Sequence, residues 1–301
     1  MSLSIRPYGD ESDWPAVARL LSNLPQTARH LIDAPWRLAS PAAREPANGR
    51  VVVDDSGQVV GLAVWQVYWA ALDLYVNPGP TANETYQRLL DWAPERYREL
   101  DAERGHPLPY WVEAPADDDA LLAIFDRHGY RLCDDYDYVM LARPLSAEIP
   151  EPAVPEGYTI RPLSGAAEVP AYVALHRLAF DSESMTDEWR ERTLRSSWYD
   201  PRFDIVAEAP DGSLAGFCVA WFDPVRKIGQ IEPLGVHPKH RRQGIGQALL
   251  FEMLQRLRQA GASQTWVETV STWPDAVAVY ESVGFSRART VVRKGMWAAG
   301  P

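Results

Sequence analysis

Apolar residues along this chain recur in two rhythms, and each rhythm occurs twice. "RVVVDDSGQVVGLAVWQV", from Arg50 to Val67, and "FDIVAEAPDGSLAGFCVAWF", from Phe203 to Phe222, are β-branched runs folded about a glycine-containing turn, and each reads as a β-hairpin. "IGQIEPLGV", Ile228 to Val236, reads as a further strand. After it, Ile245, Leu249, Met253 and Leu257 recur at helical spacing, with Leu250 and Leu254 widening the apolar face. A short strand, "QTWVETV", a short helix, "DAVAVYESVG", and a final strand complete the series. Hairpins mixed with helices predict an α/β (α+β) fold, each unit a mixed, mostly antiparallel sheet flanked by helices.

The two halves carry the same landmarks. Ile5-Arg6-Pro7 matches Ile160-Arg161-Pro162 at an offset of 155 residues, and Pro15, Gly57, Gly61 and Gly129 meet Pro170, Gly212, Gly216 and Gly284 at the same offset. Landmarks kept in order at one offset mark a tandem of two similar units. The join, from Arg143 to Gly157, contains Pro144, Pro150, Pro152 and Pro155 and reads as an extended linker. The expected domains are 1–145, a linker over 146–157, and 158–301.

Composition narrows the classes. Hydrophobic residues make up 46% and charged residues 24% of the 301 residues, as in a globular domain. No apolar run suits a membrane span, and the start "MSLSIRPYGDESDW" lacks a signal-peptide pattern, so a cytoplasmic protein is expected. Cys133 and Cys218 read as isolated buried thiols, and the histidines show no ligand spacing, so no metal is expected. Residues 1–150 hold 13 basic and 23 acidic residues, against 17 and 18 in 151–301. That acidic first half argues against a nucleic-acid partner.

The candidate chemistry begins at "GVHPKHRRQGIGQALL", Gly235 to Leu250. A strand that ends in a glycine turn and opens a helix points several free amides one way, and the helix dipole favours an anion there. Arg241 and Arg242 add charge, and Gly244 and Gly246 let backbone approach a ligand. The dinucleotide fingerprint lacks its third glycine, and Gln247-Ala248 stand where a Walker loop needs Lys and Ser/Thr. An ordinary helix start with basic residues shares the pattern.

The order strand, Arg241-x-x-Gly244-x-Gly246, helix, strand and "VYESVGF" resembles the GNAT superfamily of acyl-CoA-dependent N-acyltransferases, directly over the second unit and through the repeat over the first. The resemblance implies acetyl-CoA as donor, its pyrophosphate on the amides of Arg241, Arg242, Gln243, Gly244, Ile245 and Gly246. It places the pantetheine along the backbone near Leu234, Gly235 and Val236, in a gap where this strand splays from the next. Pro233 suits such a failure of pairing. A plain bulge shares that signature. It further implies Glu232 as general base, Tyr280 as the acid that protonates the leaving thiolate, and amides at Gly235 or Val236 as oxyanion donors. By strand parity Glu232 is expected on the side of Leu234 and Val236. The chain departs from the family at Gln230, where some members carry their acid, and at Trp273, where many have Asn.

An ungapped alignment at an offset of 160 sets "LYVNPGPTANETYQRLL" on the loop. Thr81 and Ala82 then replace both arginines, Glu84 and Tyr86 replace Gly244 and Gly246, Leu72 falls at Glu232, and Phe125 at Tyr280. The first unit is expected to be degenerate and the second catalytic, moving acetyl from acetyl-CoA to the primary amine of a small molecule. A non-catalytic acyl-CoA-binding module and a peptide or protein N-acetyltransferase are the competing expectations. The residues do not identify the acceptor. Asp181, Glu183, Trp189, Trp198 and Tyr199 read as ordinary amphipathic helix positions.

Overall fold

The computed structural model describes residues 2–105 and 109–297. Contacts divide the chain into two compact units: residues up to 137 with those from Thr290 onward, and residues 138–289. The first unit comprises β1 (Leu3–Pro7), α1 (Asp10–Asn23), two short helices α2 (Ala34–Leu38) and α3 (Pro41–Arg44), β2 (Gly49–Asp54), β3 (Val59–Gln66), β4 (Ala71–Val76), α4 (Ala82–Arg104), β5 (Tyr110–Pro115), α5 (Asp119–Arg127) and β6 (Arg131–Leu132). The second comprises β7 (Tyr138–Pro144), β8 (Thr159–Pro162), α6 (Val169–Phe180), α7 (Asp187–Arg195), β9 (Asp204–Glu208), β10 (Leu214–Asp223), β11 (Ile228–Val236), α8 (Ile245–Gln259), β12 (Gln264–Val270) and α9 (Pro274–Ser282). The last strand, β13 (Ser286–Met296), begins in the second unit and ends in the first.

Strand order is β1-β2-β3-β4-β5-β13 in the first unit and β8-β9-β10-β11-β12-β7 in the second. The pairs are antiparallel except β4 with β5 and β11 with β12, which are parallel. The expected mixed, mostly antiparallel sheet flanked by helices is what the chain forms. The repeat is visible in detail. Gly57 and Gly212 turn their hairpins at the same φ of 83°. Arg6 donates to Asp13 at 2.7 Å, and its counterpart Arg161 donates to Glu168 at 2.9 Å. Each carboxylate also accepts a backbone amide, Gly9 at 2.7 Å and Ser164 at 2.6 Å, so one acid fastens the first strand and the following helical turn together.

One feature departs from a simple tandem. Residues Val291–Met296 of β13 pair with β5, while β7 pairs with β12 along its whole length. These strands are counterparts in the repeat, so each sheet offers the same slot to either; exchange of equivalent elements costs little. The boundaries read from the sequence follow the repeat; compactness follows strand pairing.

Each unit has its own core. In the second, Ile245, Leu249, Leu250, Met253, Leu254 and Leu257 of α8 are all buried against β9, β10 and β11, which realises the apolar stripe. Burying a side chain of that size stabilises by roughly 1.5–3 kcal/mol. The parallel contacts are short. β11 pairs with β12 only from Ile228 to Ile231, and β4 shares one register pair with β5, Ala71 with Trp111. Beyond these points the strands part, leaving a wedge in each unit. Among the described residues no helix is long and apolar enough to cross a membrane.

Candidate active site

The wedge of the second unit starts at Glu232, the residue after the last β11–β12 pair. The Glu232–Pro233 peptide is cis, and the β10–β11 register slips by one residue between Cys218 and Ala220. That slip corrects the parity argument. Ile231, Leu234 and Val236 all pack on the α8 side, so the extra residue at Pro233 puts Glu232 on the opposite face, toward α6. Gly235 shares that face: a Cβ there would lie 2.4 Å from the Phe217 ring and 3.0 Å from Ala179 Cβ.

Tyr172 on α6 and Tyr280 on α9 are both buried. Burial holds both phenols well above their usual range, helped at Tyr280 by the Glu232 carboxylate and at Tyr172, against the Arg190 charge, by Asp204 and then Glu232, so each remains a proton-bearing group. The structure thus brings the two sequence candidates, Glu232 and Tyr280, into electrostatic reach of one another. Tyr172 joins them, a residue that sequence reasoning missed because "PAYVALH" reads as plain amphipathic helix. The Tyr172 hydroxyl and the Gln230 amide nitrogen are buried with no hydrogen-bond partner among the described residues. Arg190 lies 3.6 Å from the centre of the Tyr172 ring and pairs with Asp204, which also accepts the Tyr199 hydroxyl at 2.8 Å. Tyr199 and the buried Trp189 serve packing, Asp181 and Glu183 are exposed, and Trp198 is half-buried.

At the far end of the free edge, Val236 leads through a short turn into α8. Gly244 precedes the helix at φ 85°, and Arg242 holds the left-handed region at φ 63°. Among the described residues nothing accepts from the amides of Arg242, Gln243, Gly244, Ile245 and Gly246. Arg241 is otherwise occupied. Its guanidinium donates to the carbonyls of Val236 at 3.2 Å and Ala179 at 2.8 Å, bracing the turn against α6. Gln243 accepts the Tyr158 hydroxyl at 3.1 Å, a second brace. The field at the turn is positive: burial, then His240, Lys239 and Arg241, push the pKa of His237 down. A Cβ at Gly246 would meet Val236 and Val279 at 3.6 and 3.9 Å, ordinary contacts, so internal packing does not demand glycine there. These are features that fit a pyrophosphate. Trp273 precedes α9 and is exposed. Glu268 lies on β12 one residue past the last pairing with β11 and was not a sequence candidate; its repeat partner Glu113 is the signal that could have found it.

Strand register also revises the comparison between units. Trp65 pairs with Leu72 and Ala220 with Ile231; Ala63 pairs with Leu74 and Cys218 with Leu234. The offset is therefore 159 up to the bulge and 160 beyond it. The counterpart of Glu232 is Asp73, not Leu72, with Pro233 as the inserted residue. The first unit kept the carboxylate and neutralised it: Arg37 donates to both Asp73 oxygens, at 2.7 and 2.8 Å. Its turn did change, with Glu84 paired to Arg88 at 2.8 Å where the second unit has Gly244.

Two units, each with a wedge between parallel strands and one with an amide-lined turn, form a fold shared with tandem GNAT proteins. Residues 171–285, within the second unit, match the model of the acetyltransferase (GNAT) family. Among curated relatives, a mycothiol acetyltransferase of Kineococcus radiotolerans is 36% identical over 168 residues, 52% of each chain. Another mycothiol acetyltransferase, from Geodermatophilus obscurus, is 28% identical over 258 residues, 80% of each. The chain spans about half the length of the first of these relatives. Among solved structures, a tandem GNAT protein from the clavulanic acid biosynthesis pathway superposes with a TM-score of 0.67 at 18% identity, covering 100% of both chains.

Proposed function

We propose that the protein is an acetyl-CoA-dependent N-acetyltransferase whose second unit acetylates a primary amine of a small molecule. One observation carries this reading: a free strand edge runs from a half-buried carboxylate, Glu232, to a turn whose amides have no partner among the described residues, with the Tyr280 phenol nearby. The turn amides from Arg242 to Gly246 hold the pyrophosphate, aided by the Arg242 charge and the α8 dipole. Arg241 contributes through its braces and its backbone. The Leu234–Val236 edge takes the pantetheine as an added strand. Acetyl-CoA supplies the acetyl thioester.

Glu232 takes the proton that the attacking amine must lose, and Tyr280, kept protonated by burial, gives one to the departing sulfur. Amides at Gly235 or Val236 stabilise the developing oxyanion. The Tyr172 hydroxyl and the Gln230 side-chain amide supply hydrogen bonds to the acceptor. A mycothiol-type amine is the acceptor to test first, a choice supported by the names of the curated relatives.

The test is release of free CoA from acetyl-CoA across a panel of small amines, with peptides alongside. Turnover on at least one small amine is expected, and binding of acetyl-CoA without turnover on any acceptor would establish a binding module instead. Gly244→Glu, which copies the first unit, is expected to weaken acetyl-CoA binding at least tenfold. Gly244→Asn tolerates the left-handed backbone and separates charge from strain. Glu232→Gln and Tyr280→Phe are expected to lower kcat by about 10²–10⁴ with little change in acetyl-CoA affinity; unchanged turnover removes the assigned roles.

A further inference from the structure

The wedge of the first unit has become a cavity of about 280 Å³, room for roughly nine water volumes. Its body is apolar, with Leu72, Leu74, Val76, Ile124 and Phe125 among the lining side chains. Its polar wall is a buried ionic network. Arg37 spends its donors on Asp73. His30 donates from one ring nitrogen to Asp33 at 3.2 Å and from the other to Glu113 Oε2 at 3.0 Å, and Arg29 lies 2.5 Å from the same Glu113 oxygen. Asp33, through its charge and hydrogen bond, outweighs burial and the two neighbouring guanidinium groups and raises the His30 pKa to about 9, so the ring is an imidazolium at neutral pH.

The cations are therefore committed to carboxylates inside the network. Beside these ion pairs the wall offers acceptors. Glu113 Oε1 carries no hydrogen bond among the described residues, and Asp118, which accepts the Leu121 amide at 3.0 Å through one oxygen, lines the cavity too. Counting Arg29, His30 and Arg37 against Asp33, Asp73, Glu113 and Asp118 leaves one excess negative charge. A phosphate is disfavoured twice over, because Glu84 stands at the α4 N-terminus and Tyr86 occupies the position of Gly246.

The geometry points to a second ligand site in the first unit, for a small, phosphate-free primary amine whose ammonium meets Glu113 and Asp118 while its apolar body fills the wedge. The site is independent of acetyl-CoA and goes beyond the proposed transferase activity. Excess acceptor capacity beside apolar walls selects a donor-bearing, cationic head with a short hydrocarbon body.

Titration calorimetry on the full chain without acetyl-CoA tests this, with n-butylamine, benzylamine, butan-1-ol and butyrate as probes. At least one amine is expected to bind saturably, with the alcohol and the carboxylate at least tenfold weaker. Ala120→Trp, at an exposed rim position, plugs the cavity without entering the core and is expected to abolish amine binding while acetyl-CoA still binds. Glu113→Gln is expected to weaken the amine at least tenfold. No binding by either amine, butyrate binding as tightly as the amines, or full amine binding by Ala120→Trp each overturns the site. Because no acetyl-CoA is present, failure of the transferase reading leaves this result unchanged.

Discussion

Gly235 shows how one hydrogen in place of a methyl group sets the active face. The Phe217 ring presses to within 2.4 Å of where a Cβ would sit, and Ala179 closes the other side. Gly235→Ala is expected to cost about 1–3 kcal/mol in denaturant unfolding through overpacking, and Phe217→Leu in the same chain should recover part of it. Additive losses in the double variant would show that the ring is not the obstacle. The glycine's presence was legible in the sequence, but its reason was not: the motif resemblance made it a ligand contact, whereas the structure also makes it a packing contact. Arg241 is similar. Its charge beside Gly244 suggested an anion ligand, yet its side chain ties two carbonyls, a use that no local pattern reveals.

At the level of elements, the wedge depends on β11 leaving β12 after four register pairs, and on β12 keeping a partner on its other edge. That partner is β7, from the chain's first half by sequence. A chain of residues 138–289 is therefore expected to fold with one sharp thermal transition. A chain of residues 158–301 lacks β7 and must pair Gln264–Val270 of β12 with β13, its repeat counterpart, so its thermal transition is expected at a lower temperature. Equal melting temperatures in the two fragments would count against a preference of this sheet for β7. Hairpins, the α8 stripe and the turn into α8 were all readable, because local periodicity and glycine placement encode them. The exchange was not, since β7 and β13 carry interchangeable patterns.

For the whole molecule, the two units answer pH in opposite directions. His30, in the first unit, has a folded pKa of about 9 against an ordinary 6.5. The stability its charge provides is complete below pH 6.5 and is lost as pH rises from 6.5 through 9, on the order of 3 kcal/mol. His176, in the second unit, is buried, stacked 5.5 Å from Phe217, and pushed down to about 3 by burial and then Arg190. Its unfolded form takes a proton below pH 6.5 while the folded form does not, so that stability is complete above pH 6.5 and falls as pH drops toward 3. Thermal unfolding followed from pH 5 to 9.5 should therefore peak near neutrality. His30→Gln is expected to flatten the alkaline limb and His176→Phe the limb between 6.5 and 5; a limb unchanged by its variant assigns it to other groups.

The amino-acid order alone determined the tandem, the mixed sheets and the glycine-rich turn beside two arginines, while the family resemblance named Glu232 and Tyr280 as acid–base candidates. Each is written in neighbours on the chain: a repeated offset, a period of two or of 3.6, a glycine beside arginines. Tertiary structure decided which way Glu232 faces, because one inserted residue at Pro233 reverses every side chain that follows. It decided that Asp73, paired with Arg37, is the first unit's counterpart of Glu232, since register is a property of two strands. It also gathered Arg29, His30, Asp33, Arg37, Asp73 and Glu113, spread over 85 positions of sequence, into ion pairs of which Arg29, His30, Asp73 and Glu113 line one cavity. Burial and pairing between distant residues create that network, and no local pattern contains it.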